Sequence, residues 1–387
     1  MVASIQLSRD ATPAPAPSAR AHVAFLDGLR ALAALWVVFS HVWVSQFGML
    51  AHLGLLGLCT NGLLYSHLAV DLFIVLSGFC LILPVCRTGS LPKGPLDFYF
   101  RRARRILPPF YAALAFSLLA ALLLQACDHR TLGLPPKAVL VNAALMQDLY
   151  LDQNIFNGPF WSIAVEWRIY FLFPLVVWSL TRWGSPATLA WTALVGYAMT
   201  GAVLHFQPGM YLSCPWYLFL FAMGTGAGWA AFSQSGLSDR DGKPWGWVLA
   251  GFAVLLVAAL WRFPVTDTTQ NPFGSHLPLI DAIAGAAAAS LLVVVARGAS
   301  KASRIAGALL GSRPIAALGA FAYSLYLVHM PCLNMLSRLL ASLSAAPAVR
   351  AAILAAAGVP VIVALAYLFF YVFERPFLSS RPPSARV

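Results

Sequence analysis

The sequence is poor in charged residues and has no polar stretch long enough to form a separate soluble domain. Only 10% of its 387 residues are charged, whereas soluble domains carry about 25%. Hydrophobic residues make up 60% of the chain, and a soluble fold of this size could not remove that much apolar surface from water. The composition therefore excludes an ordinary soluble protein and predicts one that folds within a lipid bilayer.

Cysteine is also scarce, and several common catalytic motifs are missing. The six cysteines form no Cys-x-x-Cys pair, which argues against a disulfide framework or a cysteine-based metal site. We expect them to be small apolar packing residues. The chain has no phosphate-binding Gly-x-x-x-x-Gly-Lys loop, no Gly-x-Ser-x-Gly, no His-Glu-x-x-His and no Gly-x-Gly-x-x-Gly. Serine hydrolysis and metal chemistry therefore have little support, and we predict no metal ion.

Ten apolar stretches are long enough, at roughly 20 residues each, to cross a bilayer as helices. We predict an all-α fold, a polytopic membrane helix bundle of about ten transmembrane helices. The stretches lie at about 24–45, 63–84, 106–126, 160–181, 186–205, 212–232, 246–263, 278–296, 314–337 and 350–373. The segment 136–149 is too short and too polar at its ends to span, and we expect an interfacial or re-entrant helix there.

The basic residues are distributed unequally between the two sides of the predicted membrane. The formal net charge of +12 would suggest a nucleic-acid partner in a soluble protein. With the N-terminus in the cytoplasm, however, nineteen Lys and Arg residues fall inside, five fall in outer loops, and Arg168 lies within the fourth span. This asymmetry favours cytoplasmic N- and C-termini. We therefore expect membrane lipids and no nucleic acid as partners.

The first span contains one arginine and one histidine, Arg30 and His41. Eleven residues are about three helical turns, or about 16 Å of rise, so both side chains project from one face. Arg30 would lie at the cytoplasmic end and His41 near mid-membrane, where an ionisable group is costly and usually functional. The structural alternatives are a topology anchor for Arg30 and an interhelical hydrogen bond for His41.

The second span carries a carboxylate, Asp71, in its outer half. His67 precedes it by four residues and Gly78 follows it by seven, so all three share one helical face. A carboxylate at this depth has to be neutral, paired or hydrated. Pairing with His41 would satisfy it and orient the imidazole, although a purely structural contact between spans is the alternative.

The fourth and ninth spans carry polar stripes. Ser162, Glu166 and Tyr170 step by four residues along the fourth span, next to Trp161. Arg168 points away from Glu166 and is expected to serve another contact. In the ninth span Tyr323, Tyr326 and His329 recur at three-residue steps, followed by Pro331. Each stripe predicts either a cavity wall or a polar seam of the bundle.

Four arginines precede the third span. They lie within five positions, and Pro108 and Pro109 are expected to end this basic segment. They are Arg101, Arg102, Arg104 and Arg105. Guanidinium groups suit phosphates because they form paired hydrogen bonds. The cluster predicts a phosphate-bearing cytoplasmic ligand, with a contact to anionic lipids as the alternative.

Six sequence blocks together resemble the membrane acyltransferase-3 family. In order they are FLDGLRALAALWVVFSHVW, VDLFIVLSGF, RRARRILPPFY, GPFWSIAVEWRIYFLFP, SLYLVHMP and FERPF. The resemblance covers about 25–377, so 21–378 would form the membrane domain, between a disordered tail at 1–20 and a short cytoplasmic tail at 379–387. It implies an integral protein of the bacterial cytoplasmic membrane. Family members often carry Gln near the position of Arg168.

The resemblance implies an enzyme that transfers an acyl group from acyl-CoA, commonly acetyl-CoA. The acceptor would be a hydroxyl of a glycan, a glycolipid or a small natural product. The family's Arg and His correspond to Arg30 and His41. Its Arg-x-x-Arg pair best matches Arg102 and Arg105, but Arg101 and Arg104 fit the same spacing.

These residues predict a mechanism. His41 would act as a base or as an acyl relay, Arg30 would bridge the two regions, and Asp71 or Glu166 would orient His41. The cytoplasmic arginines would hold the CoA phosphates; in addition to Arg102 and Arg105 we include Arg101. The acceptor side would be lined by Trp161, Ser162, Tyr170, Tyr326 and His329.

A transporter or flippase is the alternative from another functional class. Many spans with buried charged residues fit it as well. It would not require the arginine cluster, and transporters often contain inverted repeats, which the sequence does not display.

Overall fold

The structure is a computed structural model that describes residues 21–49, 60–206, 213–233, 244–264, 274–343 and 345–378. These residues are mostly helical, and none of them forms a β-strand. The all-α class is therefore confirmed. The tails at 1–20 and 379–387 lie outside the described residues.

The described part of the chain contains thirteen α-helices. The first eight are α1 Ala21–Phe47, α2 His67–Thr88, α3 Gly94–Cys127, α4 Pro136–Ala143, α5 Phe160–Phe206, α6 Tyr217–Phe232, α7 Trp245–Arg262 and α8 Leu277–Arg297. They are followed by α9 Lys301–Leu310, α10 Arg313–Gly319, α11 Ala322–Leu340, α12 Pro347–Ile353 and α13 Val359–Phe369. Two π-helical turns, Leu354–Gly358 and Phe370–Glu374, continue the last two helices, and 3₁₀ turns lie at Asn61–Tyr65, Leu151–Gln153, Gly274–His276 and Arg375–Phe377.

Among the described residues seven helices are long and apolar enough to cross a membrane, or up to eight if α10 and α11, bent by 66°, form one span. The protein is therefore an integral membrane protein, as its composition predicts. The number differs from ten partly because α6 has only 16 residues, which is short for a span. The exact count of ten and the orientation of the termini stay predictions.

Helix α5 turns back on itself. It has 47 residues and one non-helical position, Gly184, with φ 82° and ψ 175°. The hydroxyls of Ser179 and Thr188 lie 2.8 Å apart, and Trp191 Nε1 donates to Ser179 at 2.7 Å. In a straight helix these partners would be about 13 Å and 18 Å apart along the axis. The chain therefore reverses at Gly184, in a conformation open to glycine, and the two arms correspond to the stretches 160–181 and 186–205.

Helix α3 corrects the expectation for the arginine segment. It begins at Gly94, well before the predicted start near 106, and runs unbroken through Pro108 and Pro109. Proline removes a backbone donor, but in a membrane bundle neighbouring groups can satisfy the freed carbonyls. The arginines therefore lie on the helix itself, and the helical period decides which of them share a face.

The segment 136–149 contains only the eight-residue helix α4, which at about 12 Å is too short to span. The following loop is held against the bundle by polar contacts. Gln147 donates to the carbonyl of Phe160 at 2.7 Å, and Asn157 donates to the carbonyl of Leu327 at 2.8 Å. Both terminal guanidinium nitrogens of Arg168 donate hydrogen bonds to the carboxylate of Asp148. The prediction that Arg168 serves a contact other than Glu166 is therefore confirmed.

Helices α2 and α6 pack with their backbones in close contact. A Cβ atom built on Gly78 would lie 2.1 Å from the carbonyl oxygen of Phe221, and one on Gly224 would lie 1.9 Å from that of Val75. Only glycine fits at such distances, so the close approach predicted at Gly78 is confirmed.

The helix directions define two ends of the bundle. Glu374, at the end of the last helix, accepts hydrogen bonds from the backbone and hydroxyl of Ser324 at the start of α11, at 3.2 and 2.5 Å. We call this end, where α1 and α3 also begin, the arginine end. At the opposite end Ser66, before α2, donates to Ser40 of α1 at 2.6 Å. Helices α2, α5, α6 and α8 begin there.

Candidate active site

A cavity of about 180 Å³ lies between α1, α2, α3, α5 and α11. Its charged lining residues are Asp27, Arg30, Arg102, Arg105, Glu166 and Glu374. Its hydroxyl and thiol residues are Ser77, Cys80, Ser162, Tyr170, Tyr323 and Tyr326. Three cations, three carboxylates and a set of hydroxyls around one space suit a ligand that has both anionic and polar parts.

Arg30 stands at the arginine end of the cavity. Its Nη1 donates to Asp27 Oδ1 at 2.5 Å and its Nη2 donates to Cys80 Sγ at 2.9 Å. The side chains of Arg30 and Asp27 remain 26% and 41% exposed, so this pair is open to solvent and to a ligand. Cys80 therefore has a polar role beyond the apolar packing that we expected for the cysteines. The signal for Asp27 was present in FLDGLR, where it precedes Arg30 by one helical turn.

The structure distinguishes between the two arginine pairs. Arg102 and Arg105 line the cavity. Arg101 instead forms an ion pair with Asp97, donates to the carbonyl of Pro92 at 3.4 Å and is 41% exposed. Arg104 is also exposed and does not line the cavity. The helical face that carries Arg102 and Arg105 is therefore the one that meets the cavity, and the structure places Arg101 outside it.

Glu166 ends a short chain of hydrogen bonds along the cavity wall. The Tyr170 hydroxyl donates to Glu166 Oε1 and lies 2.9 Å from the Ser77 hydroxyl. Since a tyrosine hydroxyl carries one proton, Ser77 has to be the donor in the second bond. The polar stripe predicted on the fourth span thus faces the cavity.

Ser162 and Tyr326 mark the end of the cavity that lies away from the arginines. Their hydroxyls are 2.8 Å apart, and the Tyr326 hydroxyl lies 3.1 Å from the carbonyl of Pro159. Ser162 Oγ also lies 3.3 Å from the same carbonyl, so either hydroxyl can be the donor in the bond that joins them. The ring of Tyr326 also packs edge-on against Phe73, with ring centroids 5.9 Å apart.

Two histidines, His41 and His329, lie near Tyr326 but outside the cavity lining. Their ring centroids are 5.1 Å apart, and the His329 ring lies 5.7 Å from that of Tyr326. His41 Nδ1 is 2.8 Å from the carbonyl of Val37, and His329 Nδ1 is 2.8 Å from that of Tyr326. A carbonyl can only accept, so each Nδ1 carries the proton and each Nε2 is left with its lone pair. His41 is partly exposed and His329 is fully buried; neither belongs to the cavity lining.

The sequence-based pairing of His41 with Asp71 is absent. No hydrogen bond or ion pair joins these two described residues, because Asp71 lies on the face of α2 that meets α6 and α8. Its Oδ1 is 4.0 Å from His67 Nε2, which itself is 3.2 Å from Asp281 Oδ2. Trp161 also belongs to this group, since its ring stacks on His67 with centroids 5.7 Å apart. We call His67, Asp71 and Asp281 the acidic cluster.

The cavity therefore brings together seven of the predicted site residues. They are Arg30, Arg102, Arg105, Ser162, Glu166, Tyr170 and Tyr326. The other five, His41, Asp71, Arg101, Trp161 and His329, lie outside its lining. The sequence-based prediction did not include Asp27, Ser77 or Cys80, although Asp27 lies one turn before Arg30 and Ser77 and Cys80 follow Val70 and Phe73 on one helical face.

A family described as "Acyltransferase domain" matches residues 23–371, which is most of the chain. The O-acetyltransferase OatA of Staphylococcus aureus is 26% identical over 333 residues, covering 79% of this chain and 50% of that protein. The acyltransferase MdmB of Streptomyces mycarofaciens is 28% identical over 212 residues, covering 50% of this chain and 51% of that protein. The chain thus spans about half the length of the curated relatives it matches. No solved structure matches the chain.

Proposed function

We propose that the chain, which belongs to this acyltransferase family, moves an acetyl or related acyl group from acyl-CoA to a hydroxyl group. The chain is an acyltransferase enzyme, as the family and the names of the relatives indicate. The donor, the acceptor and the catalytic roles given below are part of the proposal. The name of the O-acetyltransferase relative supports an oxygen acceptor and an acetyl group.

The observation that carries the proposal is the polarity of the cavity. Arg30, Arg102 and Arg105 supply cationic donors at one end, while Ser162 and Tyr326 supply hydroxyls at the other. Guanidinium groups bind phosphates through paired, charge-assisted hydrogen bonds. Acyl-CoA has phosphates at one end and a thioester at the other, so it matches this distribution. Arg102 and Arg105 would hold the phosphates, and Arg30 would extend the cationic surface inwards.

His41 is the proposed base. Its Nδ1–H is held by the Val37 carbonyl at 2.8 Å, which fixes the ring and leaves Nε2 ready to accept a proton. Nε2 would take the proton of the acceptor hydroxyl while its oxygen attacks the thioester carbonyl. The carbon–sulfur bond then breaks, and the thiolate of CoA leaves with the proton from His41. An acyl-histidine relay, in which Nε2 is itself acylated first, is the second form of the proposal.

The carbonyl of Val37 would take the orienting role that the sequence assigns to a carboxylate. Glu166 would act instead through Tyr170, whose hydroxyl donates a hydrogen bond to Glu166 Oε1. Hydroxyls of Tyr326, Ser162 and Tyr170 would stabilise the developing oxyanion or bind the acceptor. The acceptor itself is proposed only as a class: a glycan, a glycolipid or a small natural product.

The location is proposed with the reaction. We propose ten spans in a bacterial cytoplasmic membrane, with 21–378 as the catalytic domain and the arginine end facing the cytoplasm. Acyl-CoA is made in the cytoplasm, so this orientation would present the arginines to it.

Radiolabelled acetyl-CoA can test the proposal with the full chain in lipid nanodiscs. Release of CoA, measured by chromatography, should depend on an added acceptor from a panel of oligosaccharides, glycolipids and polyketide alcohols. In an Arg102→Gln, Arg105→Gln double variant the KM for acetyl-CoA should rise about 10-fold or more, because charge-assisted hydrogen bonds are lost. The matched control is Arg101→Gln, Arg104→Gln on the other face of the same helix.

Equal effects of the two double variants would contradict the arginine assignment. Absence of CoA release with every acceptor, together with movement of a labelled solute across proteoliposomes, would replace acyl transfer with the transporter alternative.

A further inference from the structure

The acidic cluster is a second polar site, at the opposite end of the bundle from the arginines. His67 is the first residue of α2 and Asp71 lies one turn later, while Asp281 lies one turn into α8. The proposed acyl-transfer chemistry does not use these three residues. One donor atom from each lies within 4.8 Å of the other two, so the three side chains converge on one small volume.

The cluster carries two buried carboxylates whose one basic neighbour among the described residues is the imidazole of His67. Asp71 is 1% exposed and Asp281 is 0% exposed. Within the described part of the chain no lysine or arginine lies within 4.0 Å of either carboxylate. Burying even one unpaired charge is costly, and two adjacent charges of the same sign repel each other as well. The protein therefore needs a positive charge or a proton at this point.

The hydrogen bonds of the cluster leave several oxygens unused. Asp281 Oδ2 accepts from Trp216 Nε1 at 2.8 Å and lies 3.2 Å from His67 Nε2. Asp281 Oδ1 and both oxygens of Asp71, however, are buried without a hydrogen bond of normal geometry among the described residues, although the Tyr217 hydroxyl lies close to Asp71. Buried polar atoms of this kind usually have a partner, and an ion is one that protein coordinates do not supply. These oxygens point to a ligand inside the cluster.

We propose that His67, Asp71 and Asp281 bind one divalent transition-metal ion. A double positive charge would balance the two carboxylates. One imidazole nitrogen with carboxylate oxygens suits zinc and its neighbours, whereas magnesium and calcium prefer oxygen ligands alone. The separation of 3.2 Å between His67 Nε2 and Asp281 Oδ2 is close to that of two ligands on one zinc ion, since zinc–ligand bonds measure about 2.0–2.2 Å.

The surroundings of the cluster resemble an outer shell for such an ion. Trp216 holds Asp281 by a hydrogen bond, and Trp161 stacks on the imidazole with an interplanar angle of 7°. Partners of this kind orient metal ligands and are nearly as important as the ligands for affinity.

An ion here would join the starts of α2 and α8 beside the start of α6. Helix α2 carries the cluster on one face, and Val70 and Ile74 of the cavity wall lie on another. The expected role is structural, because the ion would fix the wall of the cavity without contacting its contents. The proposal does not depend on the acyl-transfer chemistry and can fail or succeed separately.

Metal analysis of the full chain in detergent or nanodiscs tests the site directly. After treatment with a chelator and addition of zinc, the protein should retain about one zinc per chain by mass spectrometry, and cobalt should give a visible absorption band. Zinc should also raise the thermal midpoint of the chelator-treated protein. The variants Asp71→Asn, Asp281→Asn and His67→Gln should lose the bound metal. Asp152→Asn, at a carboxylate that is 68% exposed, is the matched control.

A graded variant sharpens the test. Trp216→Phe removes the hydrogen bond to Asp281 while keeping an aromatic ring, so zinc affinity should fall by about 10–100-fold without loss of the site. If wild-type protein binds neither zinc nor cobalt in stoichiometric amount, or if the three ligand variants retain it, the proposal is wrong. The two carboxyl groups would then share a proton. The wild-type measurement decides even if a ligand variant fails to fold.

Discussion

Helix α2 contributes to both the cavity and the acidic cluster, but the charged groups of the two regions differ in their exposure to water. The cavity side of α2 carries Val70 and Ser77, while the other side carries Asp71. Arg30 and Asp27 in the cavity remain 26% and 41% exposed, so water can stabilise their charges until a ligand arrives. Asp71 and Asp281 are closed off from water and need a compensating charge inside the protein. Charged groups that water can reach are stable without a bound ligand, whereas buried charged groups need a counter-charge within the protein.

The largest expected effect tests whether the reaction depends on His41, which lies next to His329 outside the cavity lining, or on the acidic cluster. His41→Gln removes the proposed base while keeping a polar side chain of similar length. The rate of acyl transfer should fall by about 10²–10⁴-fold, the usual contribution of general base catalysis. The measurement is turnover of labelled acetyl-CoA by purified protein, with the thermal midpoint as a check on folding.

His205→Gln is the matched control, because His205 is exposed near the end of α5 and belongs neither to the cavity lining nor to the acidic cluster. Turnover of this variant should equal that of the wild type. Near-normal turnover of His41→Gln would remove His41 as the base. A greater loss in His67→Gln than in His41→Gln would move the reaction to the acidic cluster.

The sequence was sufficient to predict the features that depend on local periodicity. Arg102 and Arg105 share a face because they are one turn apart, and the stripe of Ser162, Glu166 and Tyr170 faces the cavity for the same reason. The reversal at Gly184 was predictable because two apolar stretches, each about one bilayer long, meet there.

The partners of the buried carboxylates could not be predicted, since they depend on how distant helices rotate against one another. Asp71 was expected to meet His41, yet α2 turns it towards Asp281, which is 210 positions away. The close packing at Gly78 and Gly224 sets that rotation. No local period in the sequence encodes which of two neighbouring helices a buried carboxylate will face.

The second prediction disturbs the helix that the two regions share. Gly78→Val would place side-chain atoms where a Cβ already lies 2.1 Å from the carbonyl of Phe221. Forcing α2 and α6 apart should lower the free energy of unfolding by about 1–3 kcal/mol. Thermal unfolding should detect this, and both acetyl-CoA turnover and zinc retention should fall together because α2 contributes to both regions.

Gly251→Val in α7 is the control, because a Cβ at Gly251 has no atom within 4 Å. If Gly78→Val were as stable as this control, the backbone contact between α2 and α6 would not be the feature that holds the two regions in place. Loss of zinc with unchanged turnover would instead show that the two faces of α2 respond independently.

The smallest effect separates the open region from the closed one by ionic strength. The Debye length falls from about 10 Å at 0.1 M salt to about 3 Å at 1 M, so charges in contact with solvent are screened. The affinity for CoA, which depends on Arg102 and Arg105 in the open cavity, should weaken several-fold over this range. Zinc affinity at the buried cluster should change little. Both can be measured by equilibrium titration in sodium nitrate.

The slope of CoA affinity against salt carries the same information at the level of single residues. Each arginine that contacts a phosphate contributes to the slope, so Arg102→Gln should flatten it and Arg104→Gln should leave it unchanged. If the CoA affinity of the wild type did not depend on salt, the arginines would not be in contact with an anionic group of the ligand. A zinc affinity that fell as steeply as CoA affinity would mean that the acidic cluster is open to solvent, and the contrast between the two faces of α2 would no longer hold.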